Sequence, residues 1–301
     1  MTGVAICDVG PRDGLQNEAK ALTPEARADL CARLAGAGLR RIEAVSLVRD
    51  DRVPQMSGAE QVLDILDALD GRARDADVSA LVLNPRGLDR ALAAGVRTVH
   101  VAVMATEAFA RANVNRSRDE AAAAAYELIE RAVAAGATIA GTVSVAFGCP
   151  FEGDVDPGVV DDLLGRMAGA GATELMLADT IGVGVPSQVR RSLERAAAHG
   201  RPYGVHLHDT RNTAVANALA ALEAGATLFE SSVGGAGGCP FAPGATGNLA
   251  TEDLAWVLER EGVETGVDVE AVVATAHWLE EQLERQLPGA LSRPGCSVTG
   301  V

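Results

Sequence analysis

Five times along this chain an alanine-rich run meets a glycine and passes straight into a β-branched, apolar run: "LAGAGLRRIEAV", "LAAGVRTVHVAV", "VAAGATIAGTVSV", "MAGAGATELMLAD" and "LEAGATLFESSV". The stops are Gly38, Gly95, Gly136, Gly171 and Gly225. Glycine is the residue that most readily ends a helix in a left-handed turn, so each segment reads as a helix feeding a strand. The intervals from Gly38 to Gly95 and from Gly171 to Gly225 are long enough to hold one further αβ unit each. Apolar runs at "VSALVL" and "YGVHLH" fill them, and "GVAICDVG" supplies a strand at the start. The result is eight strands alternating with helices. Such alternation over roughly 250 residues predicts a parallel sheet covered by helices, and eight units fit a (β/α)8 TIM barrel, with a doubly wound open sheet as the competing architecture. Helical patterns near the end add C-terminal helices. We read residues 1–286 as one barrel domain with those helices and the Pro/Gly-rich 287–301 as an irregular tail.

Composition narrows the function. The chain has 301 residues, 48% of them hydrophobic, with a formal net charge of −15. No lysine- or arginine-rich run offers the basic face that phosphate binding needs, so no nucleic-acid partner is expected. No apolar run approaches the length of a membrane span, and "MTGVAICDVGPRDG" lacks the pattern of a signal peptide. The expected compartment is the cytoplasm, and the expected assembly a homo-oligomer, a dimer. The five cysteines, Cys7, Cys31, Cys149, Cys239 and Cys296, are odd in number and irregularly spaced. They form neither a disulfide framework nor a C-x-x-C zinc pair. An acidic chain that handles an anionic substrate must meet it with local arginines or a metal.

In a (β/α)8 barrel chemistry gathers at the C-terminal strand ends, and the predicted ends here are polar. The first reads "CDVGPRDGLQNE", the second "IEAVS", the sixth "LADTIG", the seventh "HLHDTRN" and the eighth "SSVGGAGGCPFAPGATGN". His206 and His208 stand at i and i+2, so a strand points both imidazoles the same way. Two readings are open. One has a single buried, hydrogen-bonded histidine beside an exposed one. In the other, Asp13, Glu43, Asp179 and Asn248 join the pair from neighbouring strand ends. Mixed nitrogen and oxygen donors suit several divalent ions, and oxygen-rich coordination with water favours Mg²⁺ or Mn²⁺. Arg12, in a Gly/Pro-bounded loop, is either half of a solvated turn salt bridge or a fixed positive charge aimed at substrate; it cannot serve as a base. Cys239 lies between Gly238 and Pro240 in a glycine-rich loop, a placement that favours a reactive thiol, whereas Cys149 in "FGCPFEG" reads as a pocket wall. His100, His199 and His277 lie away from every predicted strand end, and substitutions there are expected to be silent.

Taken together, "DVGPRDGLQNE", "IEAVSLV" with "VPQM", "GCPFEG", "LADTIGVG", "HLHDT" and "GGCPFAPGATGNLATEDL" closely resemble the 3-hydroxy-3-methylglutaryl-CoA lyases, metal-dependent barrels of the aldolase and Claisen type. The resemblance runs from residue 4 to about 285. It implies retro-Claisen cleavage of 3-hydroxy-3-methylglutaryl-CoA, or a close 3-alkyl homologue, to acetyl-CoA and acetoacetate. It implies Asp13, His206, His208 and Asn248 as ligands of Mg²⁺ or Mn²⁺, and Arg12 on the thioester oxygen. It further implies Glu43 supporting the site, Asp179 near the reacting hydroxyl, Cys239 as the loop acid, and Gln16 and Glu252 as nearby supports. An acyl-CoA is thus the implied partner. The chain departs from the family pattern at Arg211 and Asn212, at Ala236 and at Glu230, where aspartate is common. Two alternatives are a Claisen-type enzyme condensing an acyl-CoA with a 2-oxo acid, and a non-catalytic barrel. The "GGCP" loop argues against the first, and the intact set of Arg12, Asp13, His206, His208, Cys239 and Asn248 against the second.

Overall fold

The computed structural model describes residues 3–69, 75–238, 247–293 and 295–296. Eight parallel strands close a barrel in chain order. They are β1 (Ala5–Asp8), β2 (Arg41–Ser46), β3 (Asp77–Leu81), β4 (Thr98–Met104), β5 (Thr138–Ser144), β6 (Glu174–Asp179), β7 (Tyr203–Leu207) and β8 (Leu228–Ser231). All eight fall on the apolar runs read from the sequence, so the closed barrel replaces the open-sheet alternative. The five glycine stops have φ between 77° and 105°, the left-handed geometry that ends each helix and turns the chain into its strand.

Helices wrap the barrel from outside: α1 (Pro24–Gly36), α2 (Ala59–Asp67), α3 (Pro85–Ala93), α4 (Glu107–Val114), α5 (Arg118–Ala134), α6 (Pro157–Ala170), α7 (Pro186–Ala197) and α8 (Ala214–Glu223). Two more, α9 (Thr251–Arg260) and α10 (Val269–Leu283), complete the C-terminal part. Proline in the first turn starts α1, α3, α6 and α7, where its missing N–H costs nothing. Ser117 and Glu120 form a reciprocal capping box on α5. Strand residues such as Ile42, Val99, Ile139, Leu177 and Val205 are all but inaccessible. Both faces of the sheet are covered, as a parallel sheet requires.

Closure sets β1 beside β8, with Ala5 opposite Leu228 and Asp8 opposite Ser231. The first and last loops therefore share one rim. Among the described residues beyond α10 no regular element forms, yet the chain stays attached. The Gly289 amide donates to Gly234 O at 2.9 Å, and the Ala290 and Leu291 amides donate to Asp253. Among the described residues, no helix is long and apolar enough to cross a membrane. Cys7, Cys31, Cys149 and Cys296 are free thiols.

A candidate metal site at the strand ends

The loop after β1 is a tight π-turn, Gly10–Gly14, in which the amides of Arg12, Asp13 and Gly14 all point at Val9 O. Asp8 locks its base. One carboxylate oxygen accepts the Gly10 amide at 2.8 Å and the other the Thr251 hydroxyl at 2.7 Å. This geometry throws Arg12 and Asp13 over the barrel mouth. Arg12 donates from Nε to Glu43 Oε2 at 2.7 Å and from Nη1 to Asp13 Oδ1 at 2.5 Å. Glu43, on β2, is fully buried. Burial by itself disfavours the Arg12 cation, but Glu43 and Asp13 overcome it and hold the guanidinium even more firmly protonated than usual.

The other oxygen of Asp13 faces the imidazoles. Its Oδ2 lies 4.0 Å from His206 Nε2, 3.9 Å from His208 Nε2 and 3.0 Å from Asn248 Nδ2. One ligand atom from each of Asp13, His206 and His208 can be chosen so that all lie within 4.8 Å of one another. The two imidazole centroids are 5.1 Å apart. The i, i+2 pair thus does share a face, His206 within β7 and His208 just beyond it. Both are buried, which excludes the reading of one buried and one exposed histidine. Burial raises the Asp13 carboxyl, but Arg12 and then the two imidazoles pull it down to about 2, so it is an anion at any working pH. Burial, reinforced by His206, lowers His208 to about 4 and leaves it neutral and able to ligate.

Asn248 reaches this cluster through an isolated antiparallel bridge to His208. Its Nδ2 also donates to Ala236 O at 2.9 Å. Gly237, at φ 118°, leaves it room, since a Cβ there would stand 2.6 Å from that nitrogen. The Oδ1 atom of Asn248 and the Nδ1 atom of His208 are buried with no hydrogen-bond partner. An orphaned buried acceptor such as the Asn248 oxygen calls for a ligand. A partly buried carboxylate, two buried imidazoles and an amide oxygen fit a divalent cation with mixed oxygen and nitrogen donors.

Asp179 ends β6, and its two oxygens accept the Val183 and Gly184 amides at 2.9 Å each. Burial raises its carboxyl despite those bonds. Gln16 is partly buried just past the π-turn. Neighbouring Asn17 ties that turn to the glycine loop, donating to Gly238 O at 2.9 Å. Cys239 lies outside the described residues. Cys149 is buried and accepts from the Thr106 hydroxyl at 3.1 Å. At the departures, Asn212 has φ 54°, left-handed geometry that asparagine tolerates. Arg211 donates to Ile181 O and Gly182 O, tying the β6 and β7 loops together.

One expectation is corrected. His100 is not a distant control. It sits inside the barrel on β4, with Nδ1 3.4 Å from Glu230 and 3.8 Å from Glu43. Glu230 in turn bonds His206 Nδ1 at 3.0 Å. The signal available in the sequence was a lone polar residue inside the apolar run "TVHVAVM". His199, bonded to Asp161 at 2.9 Å on the outer helices, and the exposed His277 remain remote.

Glu252, at the start of α9, accepts the Gly234 amide at 3.0 Å, while its Oε1 is buried and unpartnered. Burial pushes its carboxyl up to about 8, and that of Asp8 up to about 7. The native state therefore holds protons that the unfolded chain releases, and stability falls as pH rises from the unfolded value through the folded one. Thermal denaturation followed from about pH 5 to about pH 9 is expected to show a steadily falling Tm. Glu252→Gln should flatten the slope, leaving the part due to Asp8. An unchanged slope in that variant would mean that Glu252 is ionised when folded.

The fold and the site together define a (β/α)8 barrel with a buried Asp-His-His cluster suited to a divalent metal and an arginine fixed beside it. The pattern of the HMGL-like family matches residues 3–279, and the chain belongs to that family. It is 43% identical to the hydroxymethylglutaryl-CoA lyase of Pseudomonas mevalonii over 94% of this chain and 93% of that one. It is 41% identical to the (R)-citramalyl-CoA lyase of Chloroflexus aurantiacus over 98% of this chain and 96% of that one. Among solved structures, the HMG-CoA lyase of Acinetobacter baumannii in complex with coenzyme A and 3-methylmalate superposes with a TM-score of 0.91 at 32% identity, covering 99% of this chain and 97% of that one.

Proposed function

We propose that this chain is a metal-dependent carbon–carbon lyase that cleaves 3-hydroxy-3-methylglutaryl-CoA to acetyl-CoA and acetoacetate, with Asp13, His206, His208 and Asn248 holding Mg²⁺ or Mn²⁺. The observation that carries this reading is the carboxylate of Asp13, one oxygen of which faces the imidazoles while the other is bonded to Arg12. When bound, the divalent ion supplies Lewis acidity toward the substrate's tertiary hydroxyl. Asp179, whose oxygens each keep a lone pair beyond the loop amides, takes the hydroxyl proton. Its buried, raised carboxyl suits that role. The C2–C3 bond then breaks, its electrons pass to C2 and the thioester oxygen, and the third carbon becomes the ketone of acetoacetate. Arg12, pinned by two carboxylates and permanently charged, stabilises that oxygen as it gains negative charge. Cys239 on the glycine loop returns a proton to C2. Glu43 aims Arg12, while Gln16 and Glu252 support the loops around them. A cytoplasmic dimer belongs to the same reading; free thiols suit a reducing compartment, and light scattering reads the assembly.

A second substrate has support of its own, since the citramalyl-CoA lyase is nearly as similar as the hydroxymethylglutaryl-CoA lyase. Citramalyl-CoA carries the same methyl carbinol and thioester with a carboxylate one carbon nearer, and cleavage would yield pyruvate. The test is turnover of both thioesters with Mn²⁺, scoring acetoacetate against pyruvate. A kcat/KM favouring citramalyl-CoA by more than about tenfold, or 1.4 kcal/mol of discrimination, would reassign the substrate. Release of thiol from acetyl-CoA and 2-oxo acids, without cleavage of either thioester, would point to a condensing enzyme instead. Chelator is expected to abolish turnover and leave the fold intact, because the barrel core lies apart from the rim. Full activity in metal-free protein would sink the proposal.

A further inference from the structure

Six side chains close a ring inside the barrel in which cationic or imidazole groups alternate with carboxylates: Arg12, Asp13, His206, Glu230, His100 and Glu43. Glu230 is buried, and its two oxygens face different imidazoles. Oε2 lies 3.0 Å from His206 Nδ1, and Oε1 lies 3.4 Å from His100 Nδ1. The register explains the first contact, because His206 and Glu230 are direct partners across β7 and β8. A carboxylate only accepts, so each Nδ1 facing it must carry the proton. In the neutral imidazole that leaves His206 Nε2, the atom turned toward Asp13, with its lone pair free. His100 is itself anchored from the far side, where its Nε2 is 3.0 Å from Ser79 Oγ.

We propose that Glu230 and His100 are positioning residues for His206. Glu230 fixes the Nδ1–H tautomer and the aim of His206 toward the divalent cation, and His100 clamps Glu230 in the orientation that does so. This rests on His206 being a metal ligand, as in the proposed function. A pair that merely filled the barrel would affect stability without affecting metal affinity. Partners of ligating histidines characteristically change metal affinity or activity by about 10- to 100-fold when altered.

Metal-stripped protein titrated with Mn²⁺, read by calorimetry or by the loss of the free-ion electron paramagnetic resonance signal, tests it. Glu230→Gln is expected to raise the Mn²⁺ Kd by about 10- to 100-fold. His100→Leu should raise it in the same direction by roughly tenfold, and His100→Gln, which keeps an N–H donor, should recover most of that loss. Adding His100→Leu to Glu230→Gln should cost little more, because the clamp acts only through the carboxylate. A Glu230→Gln variant that binds Mn²⁺ within about twofold of the unaltered protein overturns the proposal. If the variants do not fold, nitrogen-15 NMR of His206 in the unaltered metal-free protein decides, with Nδ1–H expected and Nε2–H fatal. Unaltered protein that binds no Mn²⁺, or a His206→Ala variant that binds it normally, strikes the metal reading instead. The tautomer measurement continues to judge the pair itself.

Discussion

Arg12→Gln is expected to lower kcat by at least about 10²- to 10³-fold with little change in KM, the loss seen when one donor to a developing oxyanion is removed. The reason lies in what Arg12 touches. In the resting site its Nε and Nη1 donate to Glu43 and Asp13, and the N–H groups left over are expected to bond the thioester oxygen most strongly as charge gathers on it. An interaction made mainly in the transition state lowers kcat and kcat/KM together. Arg12→Lys should rescue poorly. A point charge cannot bridge Glu43, Asp13 and the substrate oxygen as a planar fork does. Removing the guanidinium also leaves the buried Glu43 carboxylate without its cation, and breaking such a buried pair costs about 3–5 kcal/mol. A lower Tm should therefore accompany the slower turnover. Steady-state kinetics on the folded variant separate the two effects, and a kcat within about tenfold of the unaltered enzyme would remove Arg12 from the chemistry.

His206→Ala and Asp13→Ala should each cut turnover by several orders of magnitude and abolish measurable Mn²⁺ binding. Each deletes a donor from a buried cluster whose ligand atoms lie within 4.8 Å of one another. Asp13→Ala does double damage, because the same carboxylate orients Arg12. The matched control is His199→Ala, whose partner is Asp161 on the outer helices, with His277→Ala beside it. Both should retain full activity and metal affinity. His100→Ala cannot serve as a control, given its contacts with Glu230 and Glu43. If His199→Ala were as damaging as His206→Ala, the assignment of the site to β7 would be wrong. Mn²⁺ titration and initial rates on the same preparations make the comparison direct.

What the sequence by itself determined is local in origin. Helix, glycine stop and strand follow one another because glycine tolerates φ values that other residues resist. The five stops sit between 77° and 105° as that chemistry demands. The pairing of His206 with His208 is equally local, a consequence of the two-residue period of a strand. Polar residues crowding after strands named Asp13, Glu43, Asp179 and Asn248 as a group, because apolar strands give no other reason for carboxylates at their ends.

Only the tertiary structure decided which of those groups meet. Asn248 stands beside Asp13 because barrel closure pairs β1 with β8, a contact between the two ends of the chain that no local pattern encodes. The inward aim of His100 and Glu230 was hidden for a related reason. Strands buried on both faces read as continuous apolar runs without alternation. The sequence therefore does not say which side of β4 or β8 faces the barrel axis. The register of β7 on β8, set by closure and by packing of the helices outside, places Glu230 opposite His206. Burial, which depends on everything packed around a group, then turns Glu252 from a surface-type carboxylate at a helix start into an acid that holds its proton to about pH 8.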